Sequence, residues 1–339
     1  MSRIAYVNGR YLPQHAATVH IEDRGYQFSD GVYEVCEVKG GCVIDQRRHL
    51  ARLKHSLDEL GITMPMSETV LAIIMRECMR RNRVRNGIIY LQITRGVARR
   101  DHGFPPPGTH PSVVVTARSI DFAGNERIAA EGLAIITVPD NRWHRVDIKS
   151  ISLLPNVLAK QAARERGAKE AWFVDRDGHV TEGSSSNAWI VTKGGKVVTR
   201  PADNGILRGI TRSVLIDVIK AQGLEFEERP FTVAEAQAAR EAFLTSASQI
   251  VMPVVRIDDR PVGKWGARVD RHRAARRIPS PRRANLTPRF APDRAPSAPN
   301  LCLRRRRTCP VMAQSGSCRM CSLENGHSDL AIKLAGRGL

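Results

Sequence analysis

The sequence predicts an α+β protein of two domains followed by an irregular basic tail. Short apolar runs that alternate as strands are interleaved with runs spaced by three and four that read as helices. The regular pattern pauses at residues 119–125, between a mixed half at 1–120 and a second at 121–263. From about residue 264 to 339 periodicity fades and Arg, Pro and Ala dominate, a composition that packs poorly.

The elements follow in order. Residues 4–7 alternate as a strand, Asn8-Gly9 is a favoured type I′ turn, and 10–12 return as the partner strand. Residues 31–38 and 42–44 read as a hairpin around Gly40-Gly41. Leu50, Leu53, Leu57 and Leu60 share one helical face that stops at Gly61. Residues 67–81 make a second helix, and 87–95 and 112–117 make strands on either side of a Pro- and Gly-rich loop. In the second half, strands are expected at 133–138, 170–175, 188–192, 196–199, 241–245 and 250–257. Helices are expected at 153–166, with Pro155 tolerated in the first turn, at 211–222, and at 233–240.

Composition narrows the function. Hydrophobic content of 42% suits a globular protein, and no run reaches the length of a membrane helix. The first residues lack the apolar core of a secretory signal, so a cytoplasmic location is expected. Seven cysteines, four of them in the tail (Cys302, Cys309, Cys318, Cys321), form no disulfide framework, and the tail spacing matches no common zinc site. The net charge is +19, but residues 264–339 hold 17 Lys and Arg against 4 Asp and Glu, leaving only +6 for the rest. A nucleic-acid or polyanion reading therefore rests on the tail, which has Phe290 as its sole aromatic after Trp265 for stacking on bases.

The chemistry centres on residues 143–187. Lys149 ends a short apolar-alternating run with Val146, Ile148 and Ile151, a setting that favours a neutral amine. A lone lysine near a strand end is usually solvated, so its company decides. Glu182, in the turn-rich TEGSSSN at 181–187, is a candidate acid for the ring nitrogen of pyridoxal phosphate, although alone it reads as a turn carboxylate. Gly209-Ile210-Thr211 precedes a helix and offers N–H donors to a phosphate, or a plain threonine cap. Residues 245–248 form a second hydroxyl-rich turn, and Arg52 is a candidate cation.

With these residues in place, the chain resembles the class IV, fold-type IV pyridoxal phosphate aminotransferases, most closely those acting on D-amino acids. The resemblance covers about residues 1–262. It is carried by EDRGYQFSDGVYEV at 22–35, HLARL at 49–53, YLQITRG at 90–96, DIKS at 147–150, TEGSSSN at 181–187, GILRGITR at 205–212 and FLTSAS at 243–248. It implies a two-domain fold-type IV enzyme and a homodimer. Lys149 would be the Schiff-base lysine and proton shuttle, and Glu182 would bind the pyridine nitrogen. Arg52, Ile210, Thr211, Ser246 and Ala247 would hold the phosphate of pyridoxal 5'-phosphate, Ile210 and Ala247 through backbone N–H groups. Leu207 would pack on the ring. Alanine at 247, where relatives commonly carry a hydroxyl, leaves the backbone contact.

The same resemblance assigns Tyr33, Arg100 and His102 to the substrate α-carboxylate, the last two from a loop that reaches the neighbouring subunit's site. A guanidinium pairs bidentately with a carboxylate, and imidazole and phenol add directional donors. Asp101 between them is expected to face water. The implied reaction moves the amino group of a D-amino acid such as D-alanine to a 2-oxo acid such as 2-oxoglutarate. Alternatives on the same fold are a branched-chain L-amino-acid aminotransferase and an aminodeoxychorismate lyase. The likeness stops after residues 261–264, and the Arg, Pro and Ala richness beyond is what a GC-rich gene yields in a shifted reading frame.

Overall fold

A computed structural model describes residues 3–121 and 123–263. The first half builds one antiparallel sheet. β1 (Ile4–Val7) and β2 (Arg10–Pro13) meet at Asn8-Gly9, whose φ angles of 44° and 90° are both positive, as a type I′ turn requires. Next come α1 (Arg24–Phe28), β3 (Gly31–Lys39), β4 (Cys42–Val43), α2 (Gln46–Glu59), α3 (Glu68–Arg81), β5 (Gly87–Thr94) and β6 (Ser112–Ser119). The strand order is β2-β1-β6-β5-β3-β4, with every pair antiparallel. Ser67 caps α3, its Oγ accepting from the Val70 N–H at 3.3 Å. The buried leucines of α2, Leu50, Leu53 and Leu57, pack with Leu71 and Met75 of α3 against Ile89, Leu91 and Ile93 of β5.

The second half holds α4 (Ala123–Glu131), β7 (Leu133–Pro139), α5 (Leu154–Glu165), β8 (Glu170–Val174), β9 (Val180–Gly183), β10 (Asn187–Val191) and β11 (Val197–Thr199). It continues with α6 (Ile210–Ala221), β12 (Phe226–Glu228), α7 (Val233–Ala238), β13 (Glu241–Ser246), β14 (Ile250–Ile257) and β15 (Arg260–Pro261). Its sheet runs β12-β11-β10-β13-β14-β7-β8-β9, with β15 on β14. The pairs β14/β7, β7/β8 and β11/β12 are parallel, so this sheet is mixed. Trp172, Phe231, Leu244 and Met252 fill one face, and Trp189, Ile216 and Ile219 the other beneath α6.

Several short elements were not expected. α1 is five residues long, and β9, β12 and β15 have four, three and two, too short to show a period. β9 is buried on both faces, which removes alternation altogether. α4 occupies part of the stretch expected to be a connection, with no buried residue to mark an apolar face.

The segment around Lys149 is a correction of another kind. It is not a strand end but a strap with tight turns, Ile148 N–H donating to Arg145 O at 3.2 Å and Ser150 N–H to Ile148 O at 2.8 Å. Ile148 enters the core of the first sheet and, with Val146 and Lys149, also lines a cavity. The strap lies along β3. Tyr33 N–H donates to Lys149 O and Ile151 N–H to Gly31 O, both at 3.0 Å, and the Lys149 N–H donates to the buried Ser56 Oγ of α2 at 3.1 Å.

Cys36, Cys42 and Cys78 are free thiols. Among the described residues no helix is long and apolar enough to cross a membrane. The expectations for residues 264–339, including the four tail cysteines and the shifted frame, lie outside the described residues.

Candidate active site

A cavity of about 420 Å³ opens where the strap meets both sheets. β3 contributes Tyr33, the strap Lys149, β9 Glu182, the loop before α6 Leu207, and β13 with its following turn Ser246 and Ala247. Arg52 of α2 lines the cavity too, together with Ile210 and Thr211 in the first turn of α6. The cavity thus gathers every residue expected to hold the cofactor, and Tyr33 with them.

Lys149 is half-buried, and its Nζ stands 4.2 Å from the centre of the Tyr33 ring. Among the described residues no carboxylate pairs with that amine at ion-pair distance, so it is available for chemistry. Glu182 is buried and accepts from three donors. Arg142 Nη1 reaches Oε1 at 2.6 Å, while Asn187 Nδ2 and the Leu207 N–H reach Oε2 at 2.9 and 3.1 Å. Burial pushes the carboxyl pKa up, opposed chiefly by the Arg142 guanidinium. The product is a fixed carboxylate with raised basicity, suited to holding a proton on a ring nitrogen.

Arg142, Asp140 and Asn187 were not foreseen as parts of the site. Arg142 is itself held by Asp140 through Nε at 2.9 Å and Nη2 at 2.7 Å, and Thr181 Oγ1 donates to the same aspartate at 2.7 Å. Arg142 lies 40 residues from Glu182, in a loop, where no local period announces it. Asn187 lies inside the TEGSSSN motif, but only the fold turns its amide toward Glu182.

The start of α6 suits an anion. α6 begins at Ile210 with Gly209 as N-cap, one residue earlier than the sequence pattern suggests, because glycine gives no side chain to mark the start. No side chain caps this helix, so its first-turn N–H groups, including those of Ile210 and Thr211, remain available at the positive end of the helix dipole. Gly209 is required by space: a Cβ there would stand 2.0 Å from Asn187 Oδ1. Ser246 Oγ accepts from the Gln249 N–H at 3.2 Å, which shapes the turn beside it.

Arg52 has a partner the sequence did not show. Its Nε and Nη2 each donate to Glu34 at 2.8 Å, and His49 Nδ1 lies 2.7 Å from the same carboxylate. Arg52 Nη1 donates to Arg208 O at 3.1 Å, tying the first half to the loop before α6. Alternation in β3 turns Tyr33 to the cavity and buries Glu34, so the pairing was invisible without the helix opposite.

Arg100 and His102 are exposed and do not line the cavity of their own chain. Asp101 between them faces solvent, its Oδ1 accepting from the Gly103 N–H at 3.1 Å.

Sequence comparison matches residues 31–257 to the amino-transferase class IV family. A D-alanine aminotransferase of Bacillus licheniformis is 42% identical over 256 residues, 76% of this chain and 89% of its own length. One of Staphylococcus haemolyticus is 40% identical over 258 residues, 76% and 90% of the two chains. Among solved structures, a branched-chain aminotransferase of the thermophilic archaeon Thermoproteus uzoniensis with norvaline superposes with a TM-score of 0.69 at 26% identity, over 80% of this chain and 94% of its own. A fold IV-transaminase of Curtobacterium pusillum gives 0.64 at 27%, over 78% and 92%. With two thirds of its length matched to the family and relatives at this identity sharing most of their length with it, the chain belongs to the class IV aminotransferases.

Proposed function

We propose that this chain uses pyridoxal 5'-phosphate to move the amino group of a D-amino acid, such as D-alanine, to a 2-oxo acid, such as 2-oxoglutarate. The observation that carries the reading is one cavity that holds both a lysine free of carboxylate partners among the described residues and a buried carboxylate. An arginine and an uncapped helix start line the same cavity. The residues fit the cofactor: Lys149 would hold it covalently, Glu182 its ring nitrogen, and Leu207 one ring face. Arg52, Ile210, Thr211, Ser246 and Ala247 would take its phosphate. When bound, the cofactor supplies an electron sink for the pair left behind as the substrate's α C–H bond breaks.

The chain's own residues do the rest. The Lys149 Nζ accepts the α-proton of the amino donor and returns a proton to the acceptor-derived α-carbon in the second half-reaction. Tyr33 bounds the substrate side, its ring stacked 5.7 Å from that of Tyr90. Glu182, fixed by three donors, would keep a proton on the cofactor's ring nitrogen. Arg100 and His102 would bind the substrate carboxylate in the cavity of a second copy, since they do not line their own, and a homodimer follows. Residues 1–120 and 121–263 are read as two domains, each with its own sheet, joined at the cavity by the strap.

Branched-chain L-amino acids are the second reading, favoured by the superposition on a branched-chain enzyme. Identity of 39–42% to D-alanine aminotransferases against 26% weighs for the first. The visible spectrum of the purified protein should show bound cofactor and change on adding D-alanine, and D-alanine should outperform L-leucine as donor to 2-oxoglutarate. A spectrum blind to D-alanine but responsive to L-leucine would overturn the assignment.

A further inference from the structure

The loop bearing Arg100 and His102 is exposed, yet it is anchored by a buried network that the chemistry above does not use. Asp30, just before β3, receives two arginines. Arg24 Nε donates to its Oδ2 at 2.8 Å, and Arg95 donates Nε to Oδ2 at 2.7 Å and Nη2 to Oδ1 at 3.0 Å. All three side chains are well shielded, at 4%, 9% and 12% exposure for Arg24, Arg95 and Asp30. Both arginines then reach outward. Arg24 Nη1 donates to Asp101 O at 2.6 Å and Nη2 approaches His102 O at 3.5 Å. Arg95 donates to Leu60 O and Gly61 O at 2.7 and 3.0 Å, and its guanidinium lies 3.8 Å from the Phe104 ring centre. The carbonyls of Asp101 and His102 are thereby tied through Arg24 to Asp30 at the start of β3, and the Phe104 ring through Arg95 to the end of α2.

The side chains of the loop are gathered by one ring. Phe28, the last residue of α1, has the Arg100 guanidinium 4.8 Å from its centre and the His102 ring 5.4 Å away, tilted by 49°. Arg24 lies 4.9 Å from the same centre. α1 itself cannot drift. Asp23 caps it, accepting from the Gly25 N–H at 2.9 Å and from Thr94 Oγ1 of β5 at 3.0 Å. Gly25 sits so close to β5 that a Cβ there would fall 2.2 Å from Thr94 Cγ2.

We propose that Phe28 is a positioning residue for substrate recognition, a shared platform that holds Arg100 and His102 in one orientation while the Arg24–Asp30 clamp holds their backbone. The inference rests on the reading of Arg100 and His102 as the groups that bind the substrate carboxylate. An exposed arginine samples many rotamers, and a ligand that must order it loses affinity; ordering it beforehand against an aromatic face removes that loss. The ring does not line the cavity of its own chain. It acts through the two side chains it carries, so its removal should weaken substrate binding and leave the chemistry at Lys149 intact.

The test compares Phe28→Leu, Phe28→Tyr and Arg100→Ala holoenzymes with wild type, using D-alanine and 2-oxoglutarate. Phe28→Leu keeps bulk at a half-buried site and removes the π-face. It should raise KM for both substrates about tenfold, keep kcat at saturation within about twofold, and leave cofactor affinity by titration unchanged. Phe28→Tyr should restore wild-type KM. If Arg100→Ala raises KM and Phe28→Leu does not, the platform is refuted and carboxylate recognition stands. If Arg100→Ala leaves KM unchanged, the recognition reading fails and takes the platform with it. A Phe28→Leu enzyme that loses cofactor affinity in step with KM, or a Phe28→Tyr enzyme as impaired as the leucine variant, also refutes the proposal.

Discussion

Buried charge at the cavity is arranged in partnered sets, and the Glu34 cluster shows what that costs in acid. Burial raises the Glu34 carboxyl, but the Arg52 charge and the hydrogen bonds from Arg52 and His49 outweigh it and bring the pKa to about 2 from 4.5. A depressed folded-state pKa contributes stability that is complete above 4.5 and is lost as pH falls from there toward about 2. His49 is shifted the same way, below 6.5, because its burial outweighs the attraction of Glu34, so its share begins to be lost below pH 6.5. Glu34→Gln keeps the shape and removes the charge. At pH 7 it should be less stable, since Arg52 is left buried and uncompensated, a loss of about 3 kcal/mol. The difference in Tm between wild type and variant should shrink as pH is lowered from 5 to 3, in thermal melts of the cofactor-free proteins, where no phosphate stands in for Glu34 beside Arg52. A gap of constant size across that range would mean that Glu34 is not the charged partner. At this scale the sequence was legible where a residue stands out within its own motif, as Lys149 and Glu182 do, and both line the cavity. It was silent on Arg142 and Glu34, whose roles exist only through partners brought together by the fold.

Elements were legible in proportion to their length and one-sidedness. α2 and α3 each bury one apolar stripe, and β3, β5 and β14 run eight or nine residues, so their periods survive in the sequence. β9 fails both conditions, and the strap imitates a strand because Val146 and Ile148, two residues apart, are apolar residues that both line the cavity. The start of α6 was placed late for a reason that is also functional: a capping side chain there would compete for the N–H groups an anion needs. Gly209 has φ of −60°, so alanine would be unstrained in backbone terms and only close contacts, the nearest with Asn187, forbid it. Asn187 in turn donates to Glu182 Oε2 and to Leu207 O, both at 2.9 Å. Gly209→Ala should therefore displace Asn187 and loosen its hold on both Glu182 and Leu207. Losing one hydrogen bond to a buried charge is worth about 1.5–3 kcal/mol, so cofactor affinity should fall about tenfold to a hundredfold. Titration of the cofactor-free protein measures this, with Tm as the control for folding. Undiminished affinity would show that the Asn187 contact is not what glycine protects.

On the scale of the molecule, two sheets with separate cores are tied by the strap at 140–153 and by Arg52 reaching Arg208 O. An ion-paired crossing supports them from outside, Arg145 Nη2 lying 2.5 Å from Glu59 Oε2 and 2.9 Å from Asp147 Oδ2. This geometry places Lys149 and Glu182 at the seam and leaves Arg100 and His102 on an exposed loop, away from the cavity their own chain forms. If each complete site draws its lysine from one copy and its arginine from another, defects at the two positions should complement. Lys149→Ala alone should abolish turnover, because no other amine replaces the proton carrier, and Arg100→Ala alone should be weak at low substrate. When the two variants are unfolded and refolded together, half the dimers formed are mixed. Each mixed dimer holds one intact site, formed by the lysine of the Arg100→Ala copy and the loop of the Lys149→Ala copy. Activity at low D-alanine should then recover to about a quarter of wild type, above the sum of the separate variants. If the loop served its own chain, every site in the mixture would lack one of the two residues, and refolding together would give no more than the separate variants do. Recovery therefore tests at once that the enzyme is a dimer and that its carboxylate-binding loop crosses between copies, two properties that no single-chain motif can specify.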